Sequence, residues 1–266
     1  MKLGVIGYGN IAKALVGGVV KSGYLKAEEV YITTRSIEKI SDEVKALGCN
    51  LLSNNNEVAK EADFLVLAVK PYQYEAVLNQ IKNEMKTGSV LVSVAAGVTI
   101  EMMQNWTNPS QKIIRTMPNT PMQVGIGMTA VTPNDLIIED EEKWVLNLFS
   151  SVGKATLVDE DKMEAVIGAC GSSPAFVYMM IEALADGAVL KGMPRDQAIE
   201  LAAQAVKGAA EMVLETGRHP GLLKDQVCSP GGTTIEGVAA LESAGFRTAV
   251  IEAVRKTVDK AEALKK

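Results

Sequence analysis

The hydrophobic positions in the first part of the chain alternate between two patterns. Short apolar or β-branched runs, typical of strands buried in a parallel sheet, occupy residues 3–6, 30–34, 64–69, 90–94, 112–116 and 155–158. Between them, apolar residues recur at helical spacing from residue 11, over 36–47, 74–85 and 99–106, and over 144–149 behind four acidic residues. Strands that alternate with helices predict a doubly wound parallel sheet, in which 155–158 is an edge strand.

From about residue 159 the strand pattern stops and alanine becomes dense. Helices are predicted over 163–191, interrupted at 171–174, and over 195–216, 222–227, 233–243 and 246–264. We therefore predict an α/β fold with a Rossmann domain over 1–158 and an all-helical domain over 159–266. Ala198, Ala202, Ala205 and Ala209 recur at helical spacing, so an interlocking helical dimer and ordinary packing within one chain are both open.

Composition excludes several function classes. The net charge of −5 is small and evenly spread, whereas a nucleic-acid footprint would be basic and clustered. No run approaches the roughly 18 apolar residues of a membrane span, and the N-terminus lacks a signal-peptide pattern. These features predict a cytoplasmic protein that binds neither nucleic acid nor membrane.

Cysteine and histidine usage argues against a metal site. The three cysteines are widely spaced and form no CxxC pair, which favours reduced thiols over a disulfide framework or a zinc site. His219 is the only histidine, and its place in a His-Pro-Gly turn favours a structural role over a catalytic one. We expect no bound metal.

A glycine-rich turn follows the first strand and opens the first helix. Gly7, Gly9 and Ala12 match the GxGxxG/A fingerprint, and Asn10 and Ile11 lie within it. The first glycine permits the tight turn, the second lets the backbone approach a pyrophosphate, and the alanine keeps helix and strand close. We predict that the helix N-terminus holds the phosphates of a dinucleotide.

The end of the second strand distinguishes between the two nicotinamide cofactors. NAD sites usually place an acid there for the ribose 2′-hydroxyl, but this chain has Thr34, Arg35 and Ser36. An arginine pairs with a 2′-phosphate in a bidentate way, so the sequence predicts NADPH, with NADH as an accepted alternative. The competing interpretation is that Arg35 is an ordinary surface charge.

Three further loops follow strands at the edge where ligands bind in open α/β sheets. Their small or rigid residues are suited to hold a flat nicotinamide ring against backbone. They comprise Ala68, Val69, Lys70 and Pro71, then Ala95, Ala96 and Gly97, and finally Met117, Pro118, Asn119, Thr120 and Pro121. In the third loop, Asn119 and Thr120 are the expected polar contacts.

A second glycine turn lies near the C-terminus, directly before a predicted helix. Ser229, Gly231, Gly232, Thr233 and Thr234 form a backbone cradle suited to a small anion. Thr233 or Thr234 would also serve as the helix N-cap. Residues 171–174 are a second candidate cradle, and a simple helix break is its alternative.

These motifs together resemble the pyrroline-5-carboxylate reductase family over the whole chain. The resemblance rests on residues 6–12, 68–71 and 115–121 and above all on Asp-Gln-Val-Cys-Ser-Pro-Gly-Gly-Thr-Thr at 225–234. It implies a Rossmann domain, a helical domain that forms an intertwined homodimer, and decamers built from five dimers. It also implies hydride transfer from NAD(P)H to the C=N carbon of pyrroline-5-carboxylate, which yields L-proline.

The resemblance also assigns roles to individual residues. The backbone of Ser229, Gly231, Gly232 and Thr233 would hold the substrate carboxylate, and Thr234 would hydrogen-bond the ring nitrogen as the catalytic residue. Asn55 best matches the family's adenosine-binding asparagine, although the run 54–56 leaves the match open by one residue. One departure is Ser173, which stands where the family commonly has glycine.

The expected chemistry needs few side chains, because a protonated imine already accepts hydride well and the cofactor supplies the difficult step. Two alternatives remain open. One is a related NADPH reductase that acts on a different cyclic imine or on a hydroxy acid, with Lys70 as its catalytic lysine. The other is a non-catalytic protein that senses NADPH.

Overall fold

Residues 1–263 are described by a computed structural model, and they fall into two units. The first unit contains Met1–Ser172 together with the chain from Thr257 onward, and the second is Ser173–Lys256. The predicted domain limits, 1–158 and 159–266, stay a prediction.

The strands of the first unit include every strand that the apolar runs predict. They are β1 (Leu3–Ile6), β2 (Val30–Thr33), β3 (Asn50–Leu51), β4 (Phe64–Leu67), β5 (Val90–Ser93), β6 (Lys112–Pro118), β7 (Gly127–Pro133) and β8 (Gly153–Leu157). The helices between and after them are α1 (Asn10–Lys21), α2 (Ser41–Leu47), α3 (Asn55–Glu61), α4 (Tyr74–Ile81), α5 (Ile100–Trp106), α6 (Glu139–Ser150) and α7 (Met163–Val166). The sequence pattern does not predict β3, β7 or α3.

Within residues 1–263 the strands form one sheet in the order β3-β2-β1-β4-β5-β6-β7-β8. Neighbouring strands are parallel from β3 to β6. β7 is antiparallel to β6, because the connection 119–126 is shorter than the dozen or so residues that a parallel crossover needs. β8 pairs with β7 at the sheet edge, as predicted. The doubly wound parallel sheet is thus confirmed up to β6 and corrected at β7.

Hydrophobic clusters cover both faces of the sheet. Val5 and Ile6 are consecutive on β1 and belong to different clusters, because successive side chains of a strand point to opposite faces. Val5 packs in the cluster of Leu15 on α1, and Ile6 in that of Leu78 on α4. This double burial explains why the parallel strands are continuous apolar runs.

A buried ion-pair network links β6 to the residues around α7. The guanidinium of Arg115 is fully buried and donates to Glu160 at 3.1 Å and to Glu164 at 2.9 Å. Glu160 also accepts a hydrogen bond of 2.9 Å from the backbone N–H of Ile100, at the start of α5. Removing one partner would leave the buried charge of Arg115 poorly compensated, so the network links β6 and α5 to the residues around α7.

The second unit is helical, as predicted. Its helices are α8 (Ser173–Val189), α9 (Arg195–Thr216), α10 (Pro220–Val227), α11 (Thr233–Ser243) and α12 (Phe246–Ala263), the last of which ends in the first unit. The bounds of α9 and α11 agree with the sequence prediction; residue 264, predicted as helical, lies outside the described residues. His219 is the N-cap of α10, where its Nδ1 accepts a hydrogen bond of 3.1 Å from Gly221, a structural role.

Many large apolar side chains of the second unit are exposed. They include Tyr178, Met179, Leu184, Leu190, Ile199, Leu201, Met212, Leu214, Leu222, Val227, Leu241, Phe246, Val250 and Ile251. Within the helical stretch 160–189, a segment of 18 residues is long and apolar enough to cross a membrane by length and composition. A helix that packs against a second chain meets the same criteria, so this composition does not by itself assign a membrane.

Candidate active site

The N-terminal glycine turn has the backbone geometry of a phosphate-binding turn. Gly7 has φ +92°, a conformation that favours glycine, and its N–H donates to Thr33 at 2.9 Å. A Cβ on Gly7 would lie only 2.7 Å from the carbonyl oxygen of Ala68. The turn therefore packs directly on the loop that follows β4.

Gly9 and Ala12 complete the turn in different ways. Gly9 is the N-cap of α1 and makes no side-chain capping bond, so the first N–H groups of that helix point outward without a cap. A Cβ on Gly9 would meet nothing within 4 Å among the described residues, which leaves open space above the turn. Ala12 is buried in the core cluster. These features fit a dinucleotide pyrophosphate: a close backbone approach and free donors at a positive helix end.

A cleft of about 920 Å³ opens above this turn at the carboxyl ends of the parallel strands. It brings together most of the predicted cofactor residues, namely Gly7, Gly9, Asn10, Ile11, Ala12, Thr34, Arg35, Asn55, Ala68, Val69, Lys70, Pro71, Ala95 and Ala96. Tyr8 also lines the cleft, and burial raises its pKa to about 12, so its phenol is neutral. A second cleft of about 920 Å³ has carboxylates of Asp135, Glu142 and Asp159 in its lining, which suits a polyanion poorly.

The end of the cleft beside β2 carries an available positive charge. Arg35 is exposed, and among the described residues it has no salt bridge, unlike the nearby Lys13, which pairs with Glu43. No acid occupies the end of β2 to repel a phosphate. The arrangement can bind an additional anion next to the dinucleotide site.

Asn55, at the start of α3, also lines the cleft. Its Nδ2 donates 2.9 Å to Oε1 of Gln80 on α4, and both residues line the cleft. Asn54 instead caps α3, where its side chain accepts a hydrogen bond of 3.0 Å from Glu57. Of the three consecutive asparagines, only Asn55 lines the cleft, and its contact with the cofactor stays a prediction.

Five predicted cofactor residues lie outside the lining of this cleft: Ser36, Gly97, Met117, Pro118 and Asn119. Gly97 lines a smaller neighbouring cavity, and Met117 is buried in a separate hydrophobic cluster. The Asn119 amide donates to the carbonyl of Cys170 at 3.3 Å and accepts from the N–H of Met128 at 2.9 Å. It therefore links its loop to β7 and to the π-helical turn that contains Cys170. Thr120, rather than Asn119, reaches the cleft from this loop.

The sequence analysis did not single out one wall of the cleft. Gln73, Ala76, Val77 and Gln80 lie at the start of α4 and along it and line the cleft at spacings of three and four residues. That spacing, directly after a loop already assigned to the cofactor, is the signal that could have identified them.

The C-terminal glycine turn belongs to the second unit. Gly231 has φ +65°, and Gly232 leaves no room for a Cβ beside the hydroxyl of Ser229. Gly232, not Thr233 or Thr234, is the N-cap of α11, and it makes no side-chain capping bond. The predicted threonine cap is therefore wrong, because the helix begins at Thr233 itself. The first N–H groups of α11 consequently remain available to an anion.

Residues 171–174 do not form an open cradle. Ile167–Gly171 is a π-helical turn, and Ser172 N–H donates to the carbonyl of Ile167 at 2.9 Å. α8 then begins at Ser173, which places Pro174 in its first turn, as expected. The predicted interruption is thus a π-bulge rather than a loop.

Comparisons with known proteins agree with this geometry. The Escherichia coli protein named pyrroline-5-carboxylate reductase is 49% identical to this chain over 265 residues, which cover 100% of this chain and 98% of that protein. The chain belongs to the pyrroline-5-carboxylate reductase family. The Arabidopsis thaliana member is 42% identical over 253 residues, 95% of this chain and 91% of that protein.

Family models and solved structures match the two parts of the chain. Residues 160–264 match the model "Pyrroline-5-carboxylate reductase dimerisation", and residues 2–97 match "NADP oxidoreductase coenzyme F420-dependent". The Plasmodium falciparum pyrroline carboxylate reductase, solved with NADP bound, has a TM-score of 0.92 and 32% identity, covering 100% of this chain and 98% of that one. The Rossmann-type sheet followed by a helical region is thus the family's fold.

Proposed function

We propose that this protein reduces L-1-pyrroline-5-carboxylate to L-proline with NADPH. The observation that carries the proposal is the occurrence, in a full-length family member, of a dinucleotide cleft and of a separate glycine turn at a helix N-terminus. NADPH supplies the hydride that reduces the C=N carbon. The chain's residues bind, orient and exclude water.

The cofactor is assigned to the cleft above Gly7 and Gly9. The uncapped N–H groups at the start of α1 would bind the pyrophosphate, and Arg35 would pair with the 2′-phosphate. Ala68–Pro71 and Ala95–Ala96 would hold the nicotinamide half against backbone. The predicted contacts of Ser36, Gly97, Met117, Pro118 and Asn119 are kept as part of the proposal.

The substrate is assigned to the C-terminal glycine turn. Its carboxylate would accept hydrogen bonds from the backbone of Ser229, Gly231, Gly232 and Thr233, at the positive end of α11. The hydroxyl of Thr234 would orient the ring nitrogen and pass a proton to it from water. Positioning is the main source of rate here, because the protonated imine needs little further activation.

The exposed apolar side chains of the second unit support an obligate homodimer. Of its residues, only Ala185 and Ala198 are buried hydrophobics, so its helices have almost no core within one chain. Each large side chain that a partner covered would contribute about 1.5–3 kcal/mol. A second copy, packed against α8 and α9, would supply the missing core. Assembly into decamers and a cytoplasmic location without membrane contact stay predictions.

The decisive experiment follows the loss of NADPH absorbance with purified protein and pyrroline-5-carboxylate. The same assay is run in parallel with NADH. Substrate-dependent oxidation, faster with NADPH, is expected. Folded protein that binds NADPH without turnover would contradict the proposal and favour a sensing role or another imine. A Lys70→Ala variant with intact activity would count against the hydroxy-acid alternative.

Thr234 has its own test. Thr234→Ala should reduce turnover about a hundredfold, the usual effect of losing one positioned hydrogen-bond donor, while NADPH binding stays unchanged. Thr234→Ser keeps the hydroxyl and should retain most activity. Wild-type turnover in Thr234→Ala would remove Thr234 from the mechanism.

A further inference from the structure

Three buried hydroxyl groups lie where neighbouring strands of the sheet end. Tyr74 begins α4, Ser93 is the last residue of β5, and Thr116 lies in β6, and all three are fully buried. An apolar side chain would fill any of these positions without the cost of burying a hydroxyl. Buried hydroxyls are retained when they are hydrogen-bonded, and these three are.

The three hydroxyls form a continuous hydrogen-bonded network. The Tyr74 hydroxyl donates to the carbonyl of Leu67 at 2.5 Å and accepts from the Ser93 hydroxyl at 3.1 Å. Ser93 Oγ accepts from the N–H of Ala95 at 3.4 Å, and its carbonyl accepts from the Thr116 hydroxyl at 2.8 Å. The network thus links the ends of β4 and β5 to β6.

The partners of the network stand directly before the loops of the cofactor cleft. Leu67 precedes the loop 68–71, and Ser93 ends β5 just before Ala95 and Ala96, which line the cleft. A small shift of the end of β4 would therefore change its distance to the loop after β5.

Burial keeps the network in one protonation state. It raises the pKa of Tyr74 well above the ordinary value of a phenol, against the opposing hydrogen bonds from Ser93 and the backbone of Val94 and Ala95. The phenol therefore stays neutral and can donate and accept at the same time. The network therefore keeps the same hydrogen bonds at neutral pH.

We propose that Tyr74, Ser93 and Thr116 are positioning residues that set the spacing between the two loops 68–71 and 95–97. They act through the backbone of those loops, on which the nicotinamide half of NADPH would bind, and this rests on the proposed function. The glycine turn and Arg35, which would bind the adenosine phosphates, lie outside the network. The network would thus govern the reactive half of the cofactor without governing the affinity of the other half.

The experiment compares Tyr74→Phe, Thr116→Val and Thr116→Ser with the wild type. For each protein, kcat is measured, together with the dissociation constants of NADPH and of 2′-phospho-ADP-ribose, which lacks the nicotinamide. Hydrogen exchange of the Ala68 and Ala95 amides is followed without cofactor. The matched control is Tyr24→Phe, because the Tyr24 hydroxyl also donates to a backbone carbonyl, that of Trp144 at 2.9 Å, away from the cleft lining.

Tyr74→Phe and Thr116→Val should lower kcat about tenfold or more, as expected for loops displaced by a fraction of an ångström. They should speed exchange of the two amides and leave 2′-phospho-ADP-ribose binding within twofold. Thr116→Ser should restore wild-type behaviour, and Tyr24→Phe should change kcat less than twofold.

Two results would overturn the proposal. One is unchanged kcat and amide exchange in Tyr74→Phe and Thr116→Val. The other is a parallel loss of 2′-phospho-ADP-ribose affinity and kcat, which would show a general loss of fold. The binding and exchange measurements need no imine substrate, so they remain informative even if the proposed reaction fails in the wild type.

Discussion

Alanine substitutions at Gly7 and Gly9 should separate the folding role of the N-terminal turn from its ligand-binding role. The methyl group of Gly9→Ala meets no protein atom within 4 Å, and Gly9 has an ordinary φ of −86°. The folded protein should accept it with little change in stability. The methyl group would instead occupy the space above the turn, where the pyrophosphate is assigned.

The size of the Gly9→Ala effect follows from the hydrogen bonds at stake. Moving the phosphates away would weaken one or two bonds to the N–H groups of α1, at a cost of about 2 kcal/mol. Since 1.4 kcal/mol is a factor of ten, the dissociation constant of NADPH should rise about thirtyfold.

Gly7→Ala should behave differently, because its cost falls on the protein itself. At φ +92° an alanine is strained by about 1–3 kcal/mol. Its Cβ would also lie 2.7 Å from the Ala68 carbonyl oxygen, an overpacking that costs about 1–3 kcal/mol more. The free energy of unfolding should therefore fall by about 2–6 kcal/mol, and NADPH binding should weaken as well.

Gly17→Ala provides the matched control. Gly17 lies inside α1, lines no part of the cofactor cleft, and a Cβ there also meets nothing within 4 Å. Alanine should stabilise the helix by about 0.5–1 kcal/mol and leave binding unchanged.

Fluorescence titration with NADPH and urea unfolding of each variant give the two quantities. If Gly9→Ala binds NADPH as tightly as the wild type, the pyrophosphate does not lie over this turn, and the assignment of the cleft fails. If Gly7→Ala is as stable as the wild type, the close packing of the turn on Ala68 has been misjudged.

Three further predictions concern charge and burial. Arg35→Ala should weaken NADPH binding at least about tenfold and leave NADH binding nearly unchanged. Equal losses for both cofactors would contradict the 2′-phosphate assignment. In urea unfolding, Glu164→Gln should lower the free energy of unfolding by about 3–5 kcal/mol, because it leaves the charge of buried Arg115 poorly compensated. The control Glu139→Gln removes an exposed ion pair and should lower the free energy of unfolding by less than about 1 kcal/mol. Burial raises the pKa of Cys49 to about 11, so iodoacetamide should label it only on unfolding; rapid labelling of the folded protein at about pH 8, read by peptide mass spectrometry, would contradict its burial.

The sequence predicted elements best where the local pattern and the tertiary environment agree. The bounds of α9 and α11 follow from helical periodicity between glycine and proline signals, and β1 follows from one apolar run. α3 was missed because it begins within three asparagines, and Asn54 acts as its cap through a contact that spacing alone does not reveal. β7 was missed because its pairing with β6 is a tertiary contact.

The loops that line the cleft were predicted well, but not which side chain of each loop enters it. Loops that follow parallel strands converge on one edge of the sheet, so Gly7, Ala68 and Ala95 were assigned from order along the chain alone. Which side chain of a loop enters the cleft depends on its own hydrogen bonds. Of the two expected polar contacts of one loop, Asn119 hydrogen-bonds Cys170 and Met128 instead, and Thr120 alone lines the cleft. Such choices depend on partners that are remote in sequence.

The buried end of α12 determines when, during synthesis, the first unit can complete its packing. Ala261 is buried in a hydrophobic cluster with Met117, Ala130, Met163 and Ile167, which are all residues of the first unit. A ribosome synthesises the whole of the second unit before it reaches Ala261. This cluster therefore stays open during translation, while helices with exposed apolar faces emerge from the ribosome. Nascent chains should depend on late closure of this cluster, and chaperones that shield apolar surface would have their longest opportunity to act there.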